Sequence, residues 1–183
     1  MNENSTTCDD AVQGRLSKEL DALKAWTGRD NTTLVFDTDR DAWDHGKFND
    51  VLRRPSNAVI GITDKGDVFG GYVSVAVNET GKWLPDDGQF AFSFFSHGRC
   101  NVPQRWVLRK DRKNEGCEVM VCDTTKSLFI DFGSDGFFKF HNGWKETYVF
   151  DPSCVFEGLG DDVLTGERDD FFTTARLLVV HLD

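Results

Sequence analysis

The chain has 183 residues, 39% of them apolar and 13% aromatic, enough for one domain with a core that needs no disulfide or metal to hold it. No run of 18 apolar residues occurs, and the start, MNENSTTCDD, has neither a basic nor an apolar leader region, which excludes a spanning helix and predicts a cytoplasmic or nuclear protein with no membrane insertion. The net charge of −10 argues against a simple nucleic-acid binder.

In chain order, residues 1–9 read as a disordered start. Residues 10–26 read as an amphipathic helix whose stripe is Val12, Leu16, Leu20 and Leu23. That stripe either docks on the domain or zips against a second copy as a homodimer. Residues 27–183 form the domain proper. A β run over 32–36 precedes one helix over 37–54, which carries Trp43, Phe48, Val51 and Leu52 and is closed by Pro55. Residues 58–62 and 68–77 are β runs joined by the Asp64–Asp67 turn, with Gly66 suited to positive φ. Gly70-Gly71 inside the second run predicts a bulge or the close approach of another backbone.

Phe90, Phe92 and Phe94 alternate along 89–95 on one face, giving the strand an aromatic inner side. Further strands fit at 104–109, 117–122, 127–132 and 137–140, a polar loop at 158–172, and an apolar closing strand at 175–182. Many antiparallel strands with two or three helices make an α+β fold with a two-layer sheet core.

Charge is unevenly spread. Arg99, Arg105, Arg109, Lys110, Arg112 and Lys113 stand against Asp111 alone, a local +5, while the remainder holds 15 basic and 30 acidic residues. On a strand Arg105, Val107 and Arg109 share one face, and Trp106 beside them offers a ring for stacking a base. This island suits a protein partner or DNA phosphates, or it is a solvated edge strand guarded by charge.

Asp37, Asp39 and Asp41 have calcium-loop spacing, but the sixth and twelfth positions are Ala42 and Phe48, so the carboxylates read as helix caps. The acidic residues Glu157, Asp161, Asp162, Glu167, Asp169 and Asp170 read as a solvated loop. His97, Cys100, Cys117 and Cys122 have the ligand types for zinc without a knuckle spacing, and no metal or other cofactor is expected. The five cysteines read as free thiols, and Cys100, near Arg99 and Arg105, is the candidate redox residue because cations favour thiolate. Nucleophile-elbow, phosphate-loop and dinucleotide motifs are missing from the sequence.

One pattern has a family likeness. Gly66-Asp67-Val68-Phe69-Gly70-Gly71-Tyr72, followed by Phe90-Ala91-Phe92-Ser93-Phe94, resembles the hairpin and strand of the TLDc domain of oxidation-resistance proteins and a nuclear receptor coactivator. Leu34-Val35-Phe36, Thr38–Trp43, Ala58–Ile62 and Phe156–Gly160 are similar to flanking parts of the same pattern. The resemblance covers about residues 26–183 and implies two antiparallel sheets in a sandwich flanked by helices. It further implies an oxidative-stress role through protein contacts, among them the vacuolar-type proton ATPase, or through nuclear co-regulation, and it implies no catalytic residue. Three functions are therefore carried forward. The first is a non-enzymatic TLDc-like binding module, the second a sequence-specific DNA-binding regulator of stress genes using 99–113, and the third a peroxide-responsive protein using Cys100.

Overall fold

The computed structural model describes residues 16–97, 99–112, 118–123, 127–133, 138–142, 147–165 and 171–183. Residues 1–9, expected from the sequence to be a disordered start, and Val12 of the stripe lie outside the described residues, as do Lys113, Cys117, Glu167, Asp169 and Asp170. Helix α1 spans Ser17–Thr27 and ends at Gly28, whose φ of 68° gives a left-handed cap. The single helix expected over 37–54 is two short ones, α2 (Thr38–Asp41) and α3 (His45–Leu52). The break has a local cause. Asp37 accepts from Asp39 N–H and Asp44 from Lys47 N–H, so each starts its own helix, and Ala42 between them takes φ 55°. Trp43 meets Phe129 edge-on at 5.5 Å from the gap so formed.

The strands are β1 (Thr32–Asp37), β2 (Asn57–Thr63), β3 (Val68–Val73), β4 (Trp83–Pro85), β5 (Phe90–Phe95), β6 (Gln104–Val107), β7 (Glu118–Val121), β8 (Leu128–Phe132), β9 (Phe138–His141), β10 (Thr147–Tyr148), β11 (Phe171–Phe172) and β12 (Thr174–Leu182). They form a six-stranded antiparallel sheet in the order β1-β12-β2-β3-β5-β6, a four-stranded sheet β4-β7-β8-β9, and the small pair β10-β11. This is the expected α+β sandwich with an N-terminal helix. Strands β4, β10 and β11 were not anticipated, because two or three residues carry no readable alternation. β3 stops at Val73, four residues before the expected end, where Ser74 turns its backbone N–H to Asp86 Oδ2 at 2.8 Å.

β12 is no closing edge. It lies between β1 and β2, and this accounts for its run of apolar residues: Leu177 and Val179 face the core between the sheets, while Leu178, Val180 and Leu182 face α1. Between the sheets, Phe132, Phe138 and Phe140 of the small sheet pack on Val59, Phe69 and Val179 of the large one. Glycines permit this spacing. A Cβ on Gly71 would stand 2.3 Å from the Phe132 ring, and one on Gly61 would stand 2.1 Å from Phe140. At Gly70 the close approach is the Val59 carbonyl oxygen, 1.9 Å from where a Cβ would be. Of the two sequence alternatives, the near backbone is therefore the one realised, and the β2–β3 register runs through both glycines without a shift.

On the outer face of the large sheet, Tyr72, Phe90, Phe92 and Phe94 form a second core with Leu23 of α1, and Leu16, Leu20 and Trp26 pack around it. The described part of the helix stripe is thus occupied by the sheet.

Candidate functional site

The basic island divides in three dimensions. Arg99 serves the fold: its Nη2 donates to Asp67 Oδ1 at 3.2 Å, and its Nη1 donates to the His97 carbonyl. Asp67 is buried at the end of the 64–67 turn, and the same oxygen accepts from His97 N–H at 3.1 Å and lies 2.9 Å from His97 Nδ1. This cluster ties the β2–β3 hairpin to the segment after β5. Arg109 is held in a fork by Asp111, at 3.1 and 2.8 Å, and its Nη1 donates to Ser153 O. The hydrogen bonds and charge of Asp111 hold the guanidinium above its ordinary pKa.

Arg105 and Lys110 differ from these. Arg105 lies on β6 opposite Phe92, donates from Nη1 to Trp26 O at 2.6 Å, and places its guanidinium carbon 5.7 Å from the Phe90 ring centre. That carbonyl is at the C-terminal end of α1, where backbone acceptors are unfilled, so the contact fixes both helix and arginine. Lys110 is exposed at the head of a 3₁₀ turn, Lys110–Arg112. Neither Arg105 nor Lys110 has a carboxylate partner among the described residues.

Trp106 corrects the stacking expectation. It alternates to the opposite face from Arg105 and Val107, is 9% exposed, and belongs to the core between the sheets, so it offers no face to a base. Cys100 is 1% exposed in that core, with its backbone bridged to Ser96, so the thiolate-favouring surface expected for it is not its environment. Cys154 is more accessible than either Cys100 or Cys122, and its Sγ donates to Asp151 Oδ2 at 3.0 Å.

Asp37 caps α2 and is also bound by Arg176, whose Nε donates to Asp37 Oδ1 at 2.9 Å, while Arg176 Nη1 stands 2.9 Å from Asp39. The aspartates of the calcium-like spacing therefore engage an arginine and helix N–H groups. No three His, Cys, Asp or Glu side chains gather as a metal site among the described residues. The acidic loop contributes Glu157 to a hollow of about 260 Å³ shared with Arg109, Lys110, Asp111 and Gly158.

A larger groove, about 370 Å³, adjoins it on the outer face of the large sheet. Trp26, Tyr72 and Phe90 give it aromatic sides, with Phe90 stacked on Tyr72 at 4.8 Å. Arg105, Val107 and Arg109 border it from β6, and Ser74 and residues 87–89 border it opposite. Asp86 anchors that opposite wall by accepting from Ser74 N–H, Ser74 Oγ–H and Gly88 N–H; burial pushes its carboxyl above the ordinary range, against these hydrogen bonds. Gln89 lines the groove at 2% exposure, and neither amide atom has a partner among the described residues. The same-face placement of Arg105, Val107 and Arg109 was readable from period two. The wall from 86–89 was not, because no local pattern tells which loop faces β6.

Fold and groove define a helix-flanked α+β sandwich with a mixed aromatic and cationic surface site. No protein-family model matches the chain, and no curated protein matches it.

Proposed function

We propose that the chain is a non-enzymatic TLDc-like binding module of an oxidative-stress response, acting through protein contacts. The observation that carries this reading is the groove beside β6, where Arg105, with no carboxylate partner among the described residues, stands next to exposed Val107, and Lys110, likewise unpaired among them, borders the adjoining hollow. An arginine held over an aromatic ring beside an accessible aliphatic surface is the composition of a protein-docking patch. The motif segments support the family side of the proposal through their positions: Gly70 and Gly71 lie in β3 and Phe90–Phe94 in β5, neighbouring strands at the centre of the large sheet.

The DNA-binding reading keeps Arg105, Lys110 and Arg109 but has neither Arg99 nor the Trp106 ring to use, and the −15 on the rest of the chain repels a duplex. The cysteine reading needs Cys100 to leave the core first. The test is a pull-down from native lysate with the purified chain, with and without nuclease, beside an Arg105→Glu, Lys110→Glu variant. Proteins retained after nuclease and lost in the variant are expected, with subunits of the vacuolar-type proton ATPase the specific candidates. A defined DNA fragment lost in the variant would replace the first reading by the second.

A further inference from the structure

Beyond the C-terminal end of α1 the outer face of the large sheet carries the groove beside β6, and three features of this area point to one kind of ligand. The first is charge. Arg99, Arg109 and Arg176 each have an aspartate partner, whereas Arg105 and Lys110 have none among the described residues, although acidic residues exceed basic by 10 in the chain. Arg105 is also preorganised, since one N–H is fixed on Trp26 O and its guanidinium lies over Phe90. A guanidinium positioned in this way forms strong, directional hydrogen bonds to a carboxylate.

The second feature is apolar. Val107 is 44% exposed on the same sheet face as Arg105. The two are two residues apart on a strand, roughly 7 Å, which is also the spacing of alternate side chains in an extended peptide. A ligand strand that places a carboxylate on Arg105 thus brings its next same-side residue to Val107.

The third is Gln89. A buried amide left without partners is costly, and at the groove wall Gln89 has neither its donor nor its acceptor matched among the described residues; both atoms are closed to solvent, so a ligand reaches them only when the side chain turns out into the groove. A bare carboxylate satisfies only a donor. The N–H and C=O of one residue in an extended peptide point to the same side and can satisfy both.

We infer that the groove docks an extended acidic segment of a partner protein, with an acidic-x-aliphatic core: the carboxylate on Arg105, the aliphatic side chain over Val107 and Phe90, and the backbone N–H and C=O of one residue on the Gln89 amide, which turns out into the groove to meet them. The inference rests on the binding-module reading above and names the chemistry its partner must present.

The test uses the full chain and a fluorescein-labelled pool of heptapeptides with a fixed Asp-Ala-Leu core and randomised flanks, read by anisotropy at low salt. Parallel pools carry Asn-Ala-Leu or Lys-Ala-Leu, and an unlabelled DNA duplex serves as competitor. Saturable binding of the Asp pool is expected, at least ~10-fold weaker for the Asn pool and for Arg105→Gln. Gln89→Leu separates docking from structure: it is expected to raise the melting temperature, by removing a buried unpaired amide, and to weaken peptide binding at least ~5-fold. A merely structural Gln89 would change the first and leave the second alone.

No saturable binding of the Asp pool, or binding unchanged in both variants, overturns the proposal. Preferential displacement by duplex does so in favour of nucleic acid. If lysate proteins are still captured by Arg105→Gln and Gln89→Leu chains, the groove inference falls while the module reading stands. If no nuclease-resistant protein is captured at all, the module reading falls with it.

Discussion

Asp131 lies on β8 opposite Lys139 of β9, fully buried, with Lys139 Nζ 2.8 Å from its Oδ2. Burial pushes its carboxyl up to about 6, because the desolvation of the anion outweighs the hydrogen bond and charge of Lys139. The folded state therefore favours the protonated form. This group's contribution to stability is greatest below its ordinary value of 3.8, falls as pH rises through the window from 3.8 to about 6, and is flat above it. At ~1.4 kcal/mol per pH unit the whole effect is about 3 kcal/mol. Asn resembles the protonated acid in shape and charge, so Asp131→Asn is expected to match the parent near pH 4 and to exceed it at pH 7.5 by up to about 3 kcal/mol. In a chain of this length that is a rise of about 6–12 °C in melting temperature. Urea unfolding of both proteins at intervals from pH 4 to 8 measures the difference directly. A variant less stable than the parent at pH 7.5, or a difference independent of pH, would refute the reasoning and make the Lys139 pair a net contributor.

Three further outcomes follow from the packing. Gly70→Ala forces a methyl onto the Val59 carbonyl, which backbone pairing prevents from moving, and Gly71→Ala drives one into Phe132; each is expected to cost at least ~3 kcal/mol in urea unfolding. Leu23→Ala leaves a hole under α1 worth about 2–5 kcal/mol, and light scattering of the parent is expected to give a monomer, since Leu16, Leu20 and Leu23 already meet the sheet. A thiol reagent applied to the native protein is expected to modify Cys154 before Cys100 and Cys122; mass spectrometry of partly labelled protein reads the order, and early labelling of Cys100 would restore it as a redox candidate.

How much of this was visible without a structure depends on the range of the interaction. The Phe90, Phe92, Phe94 alternation, the Gly66 turn with φ 89° and the Asp37 cap are encoded within a few residues and are found in the structure, although the aromatic side expected to face inward meets α1 and not the second sheet. The helix expected over 37–54 failed because apolar spacing favoured continuity while Asp37 and Asp44 side chains satisfied N–H groups at two separate starts. Trp106 shows the opposite limit: an aromatic amid six cations reads as surface, and only its register on β6 assigns it to the core.

The sequence by itself determined that the chain forms an α+β sheet core with a helix ahead of it, since periodicity, turn glycines and helix starts are local properties. Tertiary structure alone decided that β12 is interior, that Arg99 is bound to a buried aspartate, and that Arg105, Val107 and Gln89 face one groove. The physical reason is that such placements depend on which strand pairs with which across long separations. A side chain's partners, and hence whether its charge is spent within the fold or left for another molecule, are settled only when the sheets close.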